Sequence, residues 1–349
     1  MIERRVLAEY APLVVPLRVE ALGNRGGFSG ARIWRVTTDQ GDYALRQWPN
    51  PGLPRDRILG LHRLLEHLRN EGLPFVAVPL TASNGTTLQN AGHEWQLEAW
   101  MPGVASFRND PTLNRLRAAM VALAQWHLAA SRFDCNTIST KSGTSISQWF
   151  SNRGPCVSPT VAERFAHLQG AGDGQLHRVE KRICELKSPT IRVQTSRILE
   201  LFRLGRATGF RELELVRDVE VRLQPCLRDI WHDHVLFVGD SVTGLIDPAA
   251  CRTESVACDL SRLIGSLVGD DPAQWAIAIE EYHRCRPLTT GERALITVFN
   301  RTGVLLSGWT WLEWLCLERR PFPDLDAVET RLNEILSRME ALVAVVSVR

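Results

Sequence analysis

The chain has 349 residues with 44% hydrophobic and 23% charged side chains, and its formal net charge at pH 7 is +2. This length predicts about two domains or lobes, and so small a charge gives no electrostatic reason to expect a nucleic-acid or membrane partner. The eight cysteines are scattered without a Cys-x-x-Cys pair, which predicts reduced thiols and argues against a disulfide framework. No secretory apolar region and no bilayer-spanning apolar stretch is present, so a soluble, cytoplasmic protein is expected.

The first third of the chain alternates short strand-like runs with turn residues, which is typical of an antiparallel sheet. A short helix is predicted over 3–11, and apolar side chains at helical spacing predict an amphipathic helix over 57–69. The predicted strands cover 17–20, 31–36, 43–48, 76–80, 87–88 and 94–100. Met101-Pro102-Gly103 breaks the last strand and predicts a hinge between an N-terminal lobe, 1–102, and a C-terminal lobe, 103–349.

Glycines crowd the turn between the first two predicted strands, where residues 23–30 read Gly-Asn-Arg-Gly-Gly-Phe-Ser-Gly. Glycine lets a backbone bend close over phosphate groups and offer N–H donors to them. Arg46, on the third predicted strand, would place a fixed cation where such phosphates lie. Two ordinary explanations stay open: a structural hairpin turn for the glycines, and an exposed strand residue or a surface ion pair for the arginine.

The rest of the chain is mainly helical by its apolar spacing. Residues 132–160 are rich in Ser, Thr, Gly and Asn and predict a long loop around a short helical turn, within an insertion of about 132–207. The predicted helices cover 112–130, 160–187, 189–207, a segment starting near 257, 272–284, 289–318 and 324–346. His127 is interpreted as a packing histidine, and Asp259 as a carboxylate that favours a helix dipole.

A polar segment interrupts this helical part and presents two aspartates around a predicted strand hairpin. Asp229 lies in a polar loop, and His234, a possible metal ligand, follows five residues later. An apolar strand, a turn and a second apolar strand ending at Asp247 complete the segment. A base and two metal ligands on a rigid hairpin suit phosphoryl transfer, whereas aspartates in an ordinary surface turn are the competing explanation.

The ordered set of glycine loop, basic strand residue, hinge, polar loop and strand aspartate resembles the aminoglycoside phosphotransferase and homoserine kinase-like superfamily. The resemblance runs from about Arg18 to the final helices, and its most specific part, residues 229–237, looks like the bacterial homoserine kinase loop H-A-D-L-F-R-D-N-V-L-F. Residues 244–247 are similar to the metal-binding strand that follows. The resemblance implies an α+β, two-lobed protein-kinase-like fold, with a small antiparallel-sheet N-terminal lobe and a larger, mainly helical C-terminal lobe.

The resemblance also implies a kinase that uses ATP and Mg²⁺, with roles carried over residue by residue. Asp229 would orient the acceptor hydroxyl and accept its proton, and Asp247 would ligate the metal ion. Such chemistry is mostly positioning and charge stabilisation, because the transferred phosphoryl group carries dispersed negative charge. The glycine loop and the strand cation would contact the phosphates, and the backbone after the last strand would meet the adenine. These nucleotide contacts would come from Gly26, Gly27, Phe28, Ser29, Arg46, Glu98, Ala99 and Trp100.

Four positions depart from the family pattern. His234 stands where the family has a metal-ligating asparagine, and because imidazole suits Mg²⁺ less well than oxygen does, Mn²⁺ is a second candidate ion. Leu227 replaces the histidine that usually opens the loop, and Arg46 replaces the lysine of many relatives. The helix glutamate that pairs with the strand cation is expected near residues 61–62, neither of which is acidic, while Glu66 lies one turn later.

Two hypotheses of different classes follow. The first is an ATP-dependent phosphotransferase that transfers the γ-phosphate to a hydroxyl of a small-molecule acceptor, and it rests on the presence of both Asp229 and Asp247. The second is a catalytically impaired nucleotide-binding or regulatory protein of the same fold, and it rests on His234, Leu227 and the missing helix glutamate. The fold itself does not select an acceptor, because related proteins use many.

Overall fold

The computed structural model describes residues 2–11, 14–23, 30–135 and 145–347. The chain forms two compact units. The first unit comprises Met1–Arg153, Gln224–Thr253 and Ile277–Pro287. The second unit comprises Gly154–Leu223, Glu254–Ala276 and Leu288–Arg349. The lobe boundary at residue 102 stays a prediction, and the predicted phosphate loop, Gly26 to Ser29, lies outside the described residues.

An antiparallel five-stranded sheet occupies the N-terminal part of the first unit, with the strand order β1-β2-β3-β5-β4. Its strands are β1 Arg18–Gly23, β2 Arg32–Thr38, β3 Gly41–Gln47, β4 Gln89–Asn90 and β5 Glu94–Ala99. The predicted strand at 76–80 is wrong, because this run makes only single bridges, Val76 to Leu245 and Pro79 to Glu98. Proline lacks the N–H that a continuous ladder needs, and Pro79 lies inside the run.

The register between β3 and β5 decides which side chains share a face of the sheet. Arg46 lies opposite Gln96, and Ala44 lies opposite Glu98. Residues that face each other across an antiparallel pair, and residues two apart along a strand, project to the same side. Arg46, Gln96 and Glu98 therefore project to one side of the sheet, although β3 and β5 are far apart in the sequence.

The opposite face of the sheet is apolar and packs against α1 Ile2–Ala8. Trp34 and Trp95 lie at its centre, with ring centroids 5.1 Å apart. The buried residues of this cluster are Val6, Leu7, Tyr10, Val14, Trp34, Val36, Leu45, Ala82, Trp95 and Leu97. Because the period of a strand is two residues, burial of Leu45, Trp95 and Leu97 forces the polar residues between them to the other side.

Helix α2, Arg55–Asn70, matches the helix predicted over 57–69 and buries the expected leucine stripe. It also buries His62, a residue that its apolar pattern did not single out. Gly60 lets the helix approach the segment 145–150, because a Cβ at this residue would lie 3.2 Å from both Ile146 and Phe150. The polar face of the sheet is therefore covered by a helix that carries one buried imidazole.

The predicted hinge is held by main-chain bonds to a two-stranded hairpin, β8 Val235–Val238 and β9 Ser241–Leu245. Val104 N–H donates to the Phe237 carbonyl at 3.1 Å, and Phe237 N–H donates to the Val104 carbonyl at 2.9 Å. Gly103 has φ +94°, and a Cβ at this residue would lie 2.6 Å from the Phe237 oxygen. Glycine is required here both by the left-handed backbone and by the close approach.

The first unit also contains α3 Leu113–Ala130, on which His127 is fully buried. The His127 Nδ1 lies 2.7 Å from the Tyr282 hydroxyl, in keeping with a packing histidine. Tyr282 belongs to α8, Pro272–Cys285, which begins in the second unit and ends in the first. None of the described helices is long and apolar enough to cross a bilayer.

The second unit is built mainly of helices. They are α4 Pro159–Gly170, α5 Asp173–Ile183, α6 Pro189–Glu214, α7 Val256–Val268, α9 Thr290–Leu312 and α10 Leu325–Ser347. Helices α6, α9 and α10 pack on one another, and α7 packs on α9. A capping box begins α9: Thr289 accepts from the Glu292 N–H, and the Glu292 carboxylate accepts from the Thr289 N–H.

Several predictions for the helical part need correction, and the helix predicted over 189–207 continues to Glu214. The single helix predicted over 160–187 is two helices, because Gly170-Ala171-Gly172 interrupts it and Gly172 caps the second. The α-helix predicted over 289–318 ends at Leu312 and continues as a π-helical turn, Glu313–Leu317. The remaining strands are β6 Arg153–Val157, β7 Glu220–Cys226 and β10 Arg252–Glu254, and β6 falls where only a loop was predicted.

Candidate active site

A partly buried ion pair joins the buried strand cation to the second aspartate of the hairpin. The Arg46 Nη1 donates to the Asp247 Oδ1 at 2.8 Å, although the two residues are 201 positions apart in the chain. Arg46 is 7% exposed, so the explanation of this residue as an exposed strand arginine is wrong. The structure therefore brings together two residues that the sequence predicted for one site.

Charges around the pair keep both partners ionised. Burial raises the pKa of the Asp247 carboxyl, but opposing interactions, the charge of Arg46 foremost, lower it by more, so its pKa lies below the ordinary value. Burial lowers the pKa of Arg46, but the charges of Asp247 and Glu98 raise it by more, so its pKa lies above the ordinary value. Each partner thus favours the charged form of the other.

Backbone conformation is unusual at two points of the site. Asp247 has φ 57° and ψ 57°, and Arg228, directly before Asp229, has φ 64°. Few residues other than glycine adopt this left-handed region without cost, and such strain is concentrated at sites where side-chain direction matters. Pro248 follows Asp247 and begins a short 3₁₀ turn, Pro248–Ala250, where its missing N–H costs nothing.

The imidazole of His234 is held by two hydrogen bonds that set its tautomer. Its Nδ1 lies 2.8 Å from the Asp229 carbonyl oxygen, and its Nε2 lies 2.8 Å from the Trp231 indole nitrogen. A carbonyl only accepts and an indole N–H only donates, so the partners assign the proton to Nδ1 and a lone pair to Nε2. His234 therefore presents the neutral form that metal ligation requires.

Asp247 and His234 together were predicted to hold the metal ion. Their nearest side-chain atoms, Asp247 Oδ2 and His234 Nε2, lie 3.9 Å apart. Ligand bonds of about 2.0 to 2.2 Å can reach one ion from both atoms. The carboxylate Oδ2 fits Mg²⁺, which prefers oxygen, while ligation by His234 would require the Trp231 hydrogen bond to open. The residues present thus fit a divalent cation held first by Asp247.

Asp229 presents an exposed side chain on a loop whose neighbours are buried. Leu227 and Ile230 are each 2% exposed, so apolar burial anchors the loop on both sides of the aspartate. The Asp229 carbonyl is fixed by the His234 bond described above, which restrains the backbone at this point. An exposed carboxylate on an anchored loop is chemically able to contact a substrate hydroxyl.

The predicted adenine contacts lie at the end of β5. Glu98 and Ala99 are its last residues, and Trp100 follows. The Trp100 N–H donates to the Asp42 carbonyl at 3.0 Å, and the Arg35 guanidinium lies 5.0 Å from the centroid of the Trp100 ring. One main-chain donor of this segment is therefore committed to the sheet. Contact between the segment and a nucleotide stays a prediction.

A hydrogen-bonded chain next to Arg46 was not anticipated from the sequence. The Gln96 Oε1 accepts from the Trp48 indole N–H at 2.8 Å, and the Gln96 Nε2 donates to the Glu98 Oε2 at 2.7 Å. The His62 Nε2 lies 2.9 Å from the same Gln96 oxygen, and its Nδ1 lies 2.7 Å from the Thr87 hydroxyl. Burial lowers the pKa of His62 to about 4, so this imidazole is neutral at pH 7. This chain depends on the β3–β5 register and on the packing of α2, which local sequence patterns do not show.

Comparison with known proteins identifies the family. A model of the Phosphotransferase enzyme family, APH, matches residues 20–295. The chain belongs to this family, which confirms the resemblance to the aminoglycoside phosphotransferase superfamily, while the likeness of the loop to that of bacterial homoserine kinases stays a prediction. No curated protein sequence matches the chain.

Solved structures share the fold at low sequence identity. Spectinomycin phosphotransferase in complex with ADP and spectinomycin superposes with a TM-score of 0.64 at 13% identity, covering 98% of this chain and 97% of that one. Amicoumacin kinase in complex with AMP-PNP and Ca²⁺ gives 0.61 at 14% identity and 96% of each chain. An aminoglycoside phosphotransferase from Alicyclobacillus acidocaldarius gives 0.60 at 16% identity, covering 99% of this chain and 95% of that one. The predicted kinase-like α+β fold is confirmed.

Proposed function

We propose that this chain is an ATP-dependent kinase that transfers the γ-phosphate to a hydroxyl group of a small molecule. The observation that carries the proposal is the partly buried bond between Arg46 and Asp247, at 2.8 Å, in a member of a phosphotransferase family. A strand cation and a hairpin carboxylate at one point provide the two charges that a nucleotide triphosphate and its metal ion need.

Asp229 is the proposed catalytic residue. Its exposed carboxylate accepts the proton of the acceptor hydroxyl as the oxygen attacks the γ-phosphorus and the bond to the β-phosphate oxygen breaks. The buried neighbours Leu227 and Ile230 hold the loop, so the carboxylate is already positioned before the reaction begins. Leu227 supplies this anchoring by burial in place of a polar contact.

Asp247 is the proposed first ligand of Mg²⁺, through the Oδ2 that lies away from the Arg46 bond. A divalent cation, when bound, neutralises charge on the phosphates. His234 is the second proposed ligand, and its nitrogen makes Mn²⁺ a plausible alternative ion. The phosphates themselves would be contacted by Arg46 and covered by Gly26, Gly27, Phe28 and Ser29, with the adenine against the backbone of Glu98, Ala99 and Trp100.

The proposed acceptor is a small hydroxyl-bearing compound. Structures of the same fold carry spectinomycin or are described as acting on aminoglycosides, and these molecules are rich in hydroxyl and amino groups. An antibiotic or a metabolite of this chemistry is therefore the first group of compounds to test.

A second candidate function, a nucleotide-binding protein without catalysis, is favoured by one observation. The His234 Nε2, which belongs to the second proposed metal ligand, already accepts from the Trp231 indole N–H. A site that keeps this bond when ATP arrives would bind the nucleotide without completing the metal site.

The test is ATP turnover over a panel of hydroxylated antibiotics and metabolites, together with thermal shift in ATP with Mg²⁺ or Mn²⁺. The wild type is expected to transfer phosphate to at least one acceptor. Asp229→Asn should abolish transfer while nucleotide still stabilises the protein, and Asp240→Asn, at the exposed tip of the hairpin, should retain transfer. Stabilisation by ATP without transfer to any acceptor would favour the second candidate, and no stabilisation by nucleotide would contradict both.

A further inference from the structure

We propose that Glu98, held in place by Gln96 and His62, is the resident counterion of Arg46 and keeps this cation positioned when a metal ion occupies Asp247. The inference rests on the proposed function for its use in catalysis, but the pairing itself can be tested without nucleotide. It identifies Glu98, Gln96 and His62 as positioning residues that act through Arg46.

The strand register places the two charges within reach of each other. Arg46 faces Gln96 across the β3–β5 ladder, and Glu98 is two residues further along the same face. Diagonal neighbours of this kind have Cα atoms roughly 7 to 8 Å apart, a span that two long side chains can bridge. The electrostatic influence of Glu98 on Arg46 is second only to that of Asp247 among the surrounding charges.

Glu98 is fixed by a chain of hydrogen bonds whose donors and acceptors are all determined. The Trp48 indole only donates, so it identifies the Gln96 atom that it contacts as the carbonyl oxygen Oε1. The Gln96 amide nitrogen then points to Glu98 and donates to it at 2.7 Å. His62 donates to Gln96 from Nε2, and its Nδ1 accepts from the Thr87 hydroxyl. Both the oxygen and the nitrogen of the Gln96 side-chain amide are hydrogen-bonded, so the orientation of this amide is fixed.

Helix α2 contributes this neutral support where a helix glutamate was expected. His62 is 3% exposed and contacts the chain directly, whereas Glu66, the candidate one turn later, is exposed. Because burial holds the pKa of His62 at about 4, the helix adds no charge to the site at pH 7. The helix therefore supports the carboxylate that β5 provides.

Two carboxylates then act on one cation. Burial raises the pKa of Glu98 above its ordinary value, and the charge of Arg46 offsets only part of that rise, so ionised Glu98 depends on Arg46. A metal ion would bind Asp247. Arg46 would then lose much of the negative charge that balances its own if no other carboxylate were present. A buried cation without a partner is costly, and Glu98 removes that cost.

The first experiment is a double-mutant cycle of unfolding in urea without nucleotide. The effect of Glu98→Gln on the unfolding equilibrium constant is expected to differ on the order of tenfold between the wild type and the Arg46→Gln background, because the charge of Arg46 favours ionised Glu98. The change should be more stabilising in the Arg46→Gln background, since a half-buried carboxylate without its cation favours unfolding. An equal effect in both backgrounds would overturn the proposal.

Glu94→Gln is the matched control. Glu94 lies on the same strand and face, and it pairs with Arg55 instead of Arg46. Its effect should be the same with and without Arg46, because distant pairs that share no partner are additive.

Gln96 is tested in the same cycle. In a Gln96→Leu background, or in Gln96→Met if the first variant does not fold, the dependence of Glu98→Gln on Arg46 should weaken. In a Gln89→Leu background it should persist, because Gln89 is an equally buried glutamine of the same sheet that bonds to Asn84 and Thr86. The same behaviour in both backgrounds would remove Gln96 from the proposal.

The second experiment asks whether the kinase reaction uses the pair. Glu98→Gln should lower kcat on the order of tenfold, and the double variant with Arg46→Gln should lose no more than Arg46→Gln alone, as residues acting as one unit do. If the kcat loss of the double variant equals the product of the two single losses, the two residues act independently, and positioning through Arg46 is contradicted. If the wild type transfers no phosphate at all, the proposed function fails, while the unfolding cycle still decides the pairing.

Discussion

The indole N–H of Trp231 donates to the Nε2 of His234 at 2.8 Å, and it thereby covers the lone pair that would ligate a metal ion. The two residues are three apart on one loop, and their rings meet nearly edge to face, at 78°. The bacterial homoserine kinase loop that this segment resembles has phenylalanine at the position of Trp231. A ring of that kind would fill the same space without donating a hydrogen bond.

Trp231→Phe is therefore expected to tighten binding of Mn²⁺. Releasing one hydrogen bond of about 1 kcal/mol corresponds to roughly a fivefold gain in affinity. Isothermal titration with Mn²⁺ in the absence of nucleotide measures it directly. The gain should vanish in Trp231→Phe/His234→Ala, and an unchanged affinity in Trp231→Phe would show that the indole does not compete with the ion.

Arg46→Met is expected to destabilise the protein by roughly 3 kcal/mol, because it leaves the partly buried Asp247 carboxylate without its cation. The sheet offers a matched control in Arg35→Met, which breaks an arginine–aspartate pair with Asp42 whose arginine side chain is 45% exposed, against 9% for that of Arg46. An exposed pair of this kind contributes little to stability. Urea unfolding of both variants measures the difference, and equal losses would mean that burial does not strengthen the Arg46 pair.

His62 makes stability depend on pH. The unfolded chain takes up a proton at this residue near its ordinary pKa of 6.5, whereas the folded chain does so only near pH 4. The unfolded state therefore binds more protons between these values, and stability falls as the pH is lowered through this window, by at most roughly 3 kcal/mol. His62→Gln can still donate to Gln96 and accept from Thr87, and it should flatten the curve between pH 6.5 and 5. A slope equal to that of the wild type would contradict the buried neutral imidazole.

Gly103→Ala is expected to destabilise the first unit by more than about 2 kcal/mol. Alanine would pay for a left-handed backbone, φ +94°, and its Cβ would approach the Phe237 oxygen within 2.6 Å. Gly92→Ala shares the conformational cost, with φ +78°, but no atom lies within 4 Å of its added Cβ, so about 1 kcal/mol is expected. Thermal unfolding of the two variants separates the close contact from the backbone cost, and equal shifts would mean that the contact relaxes freely.

The sequence allowed the fold and the two charged partners of the site to be predicted, because each leaves a local signal. Alternation marks β2 and β3, helical spacing marks α2, and the order of motifs identifies Asp229 and Asp247. Their roles in catalysis stay predictions, as does the role of the glycine loop. Both residues were expected at one site, but the bond between Arg46 and Asp247 was not predicted, because the carboxylate partner of Arg46 was expected on the helix.

Other features depend on information that local patterns do not carry. The chain from His62 through Gln96 to Glu98 requires the β3–β5 register and the docking of α2, which are tertiary facts. The break within the helix predicted over 160–187 was missed. Two glycines separated by one residue signal a helix end, but the helical spacing of apolar residues on both sides indicated a continuous helix. The Trp231 bond was missed because nothing in a sequence tells whether an indole at i reaches an imidazole at i+3 in a loop.

The separation of 201 residues between Arg46 and Asp247 also bears on how this protein acquires its site. The two residues can meet only after the chain between them has been synthesised, including the whole of Gly154–Leu223, which belongs to the other compact unit. Contacts between residues so far apart in the sequence form late, and they make folding slower. The chain loses the entropy of loop closure before the contact contributes any stabilising free energy. During synthesis on a ribosome, the sheet that carries Arg46 therefore emerges long before its partner. Until the hairpin has been synthesised, the positive charge of the Arg46 guanidinium lacks Asp247 as its ion-pair partner.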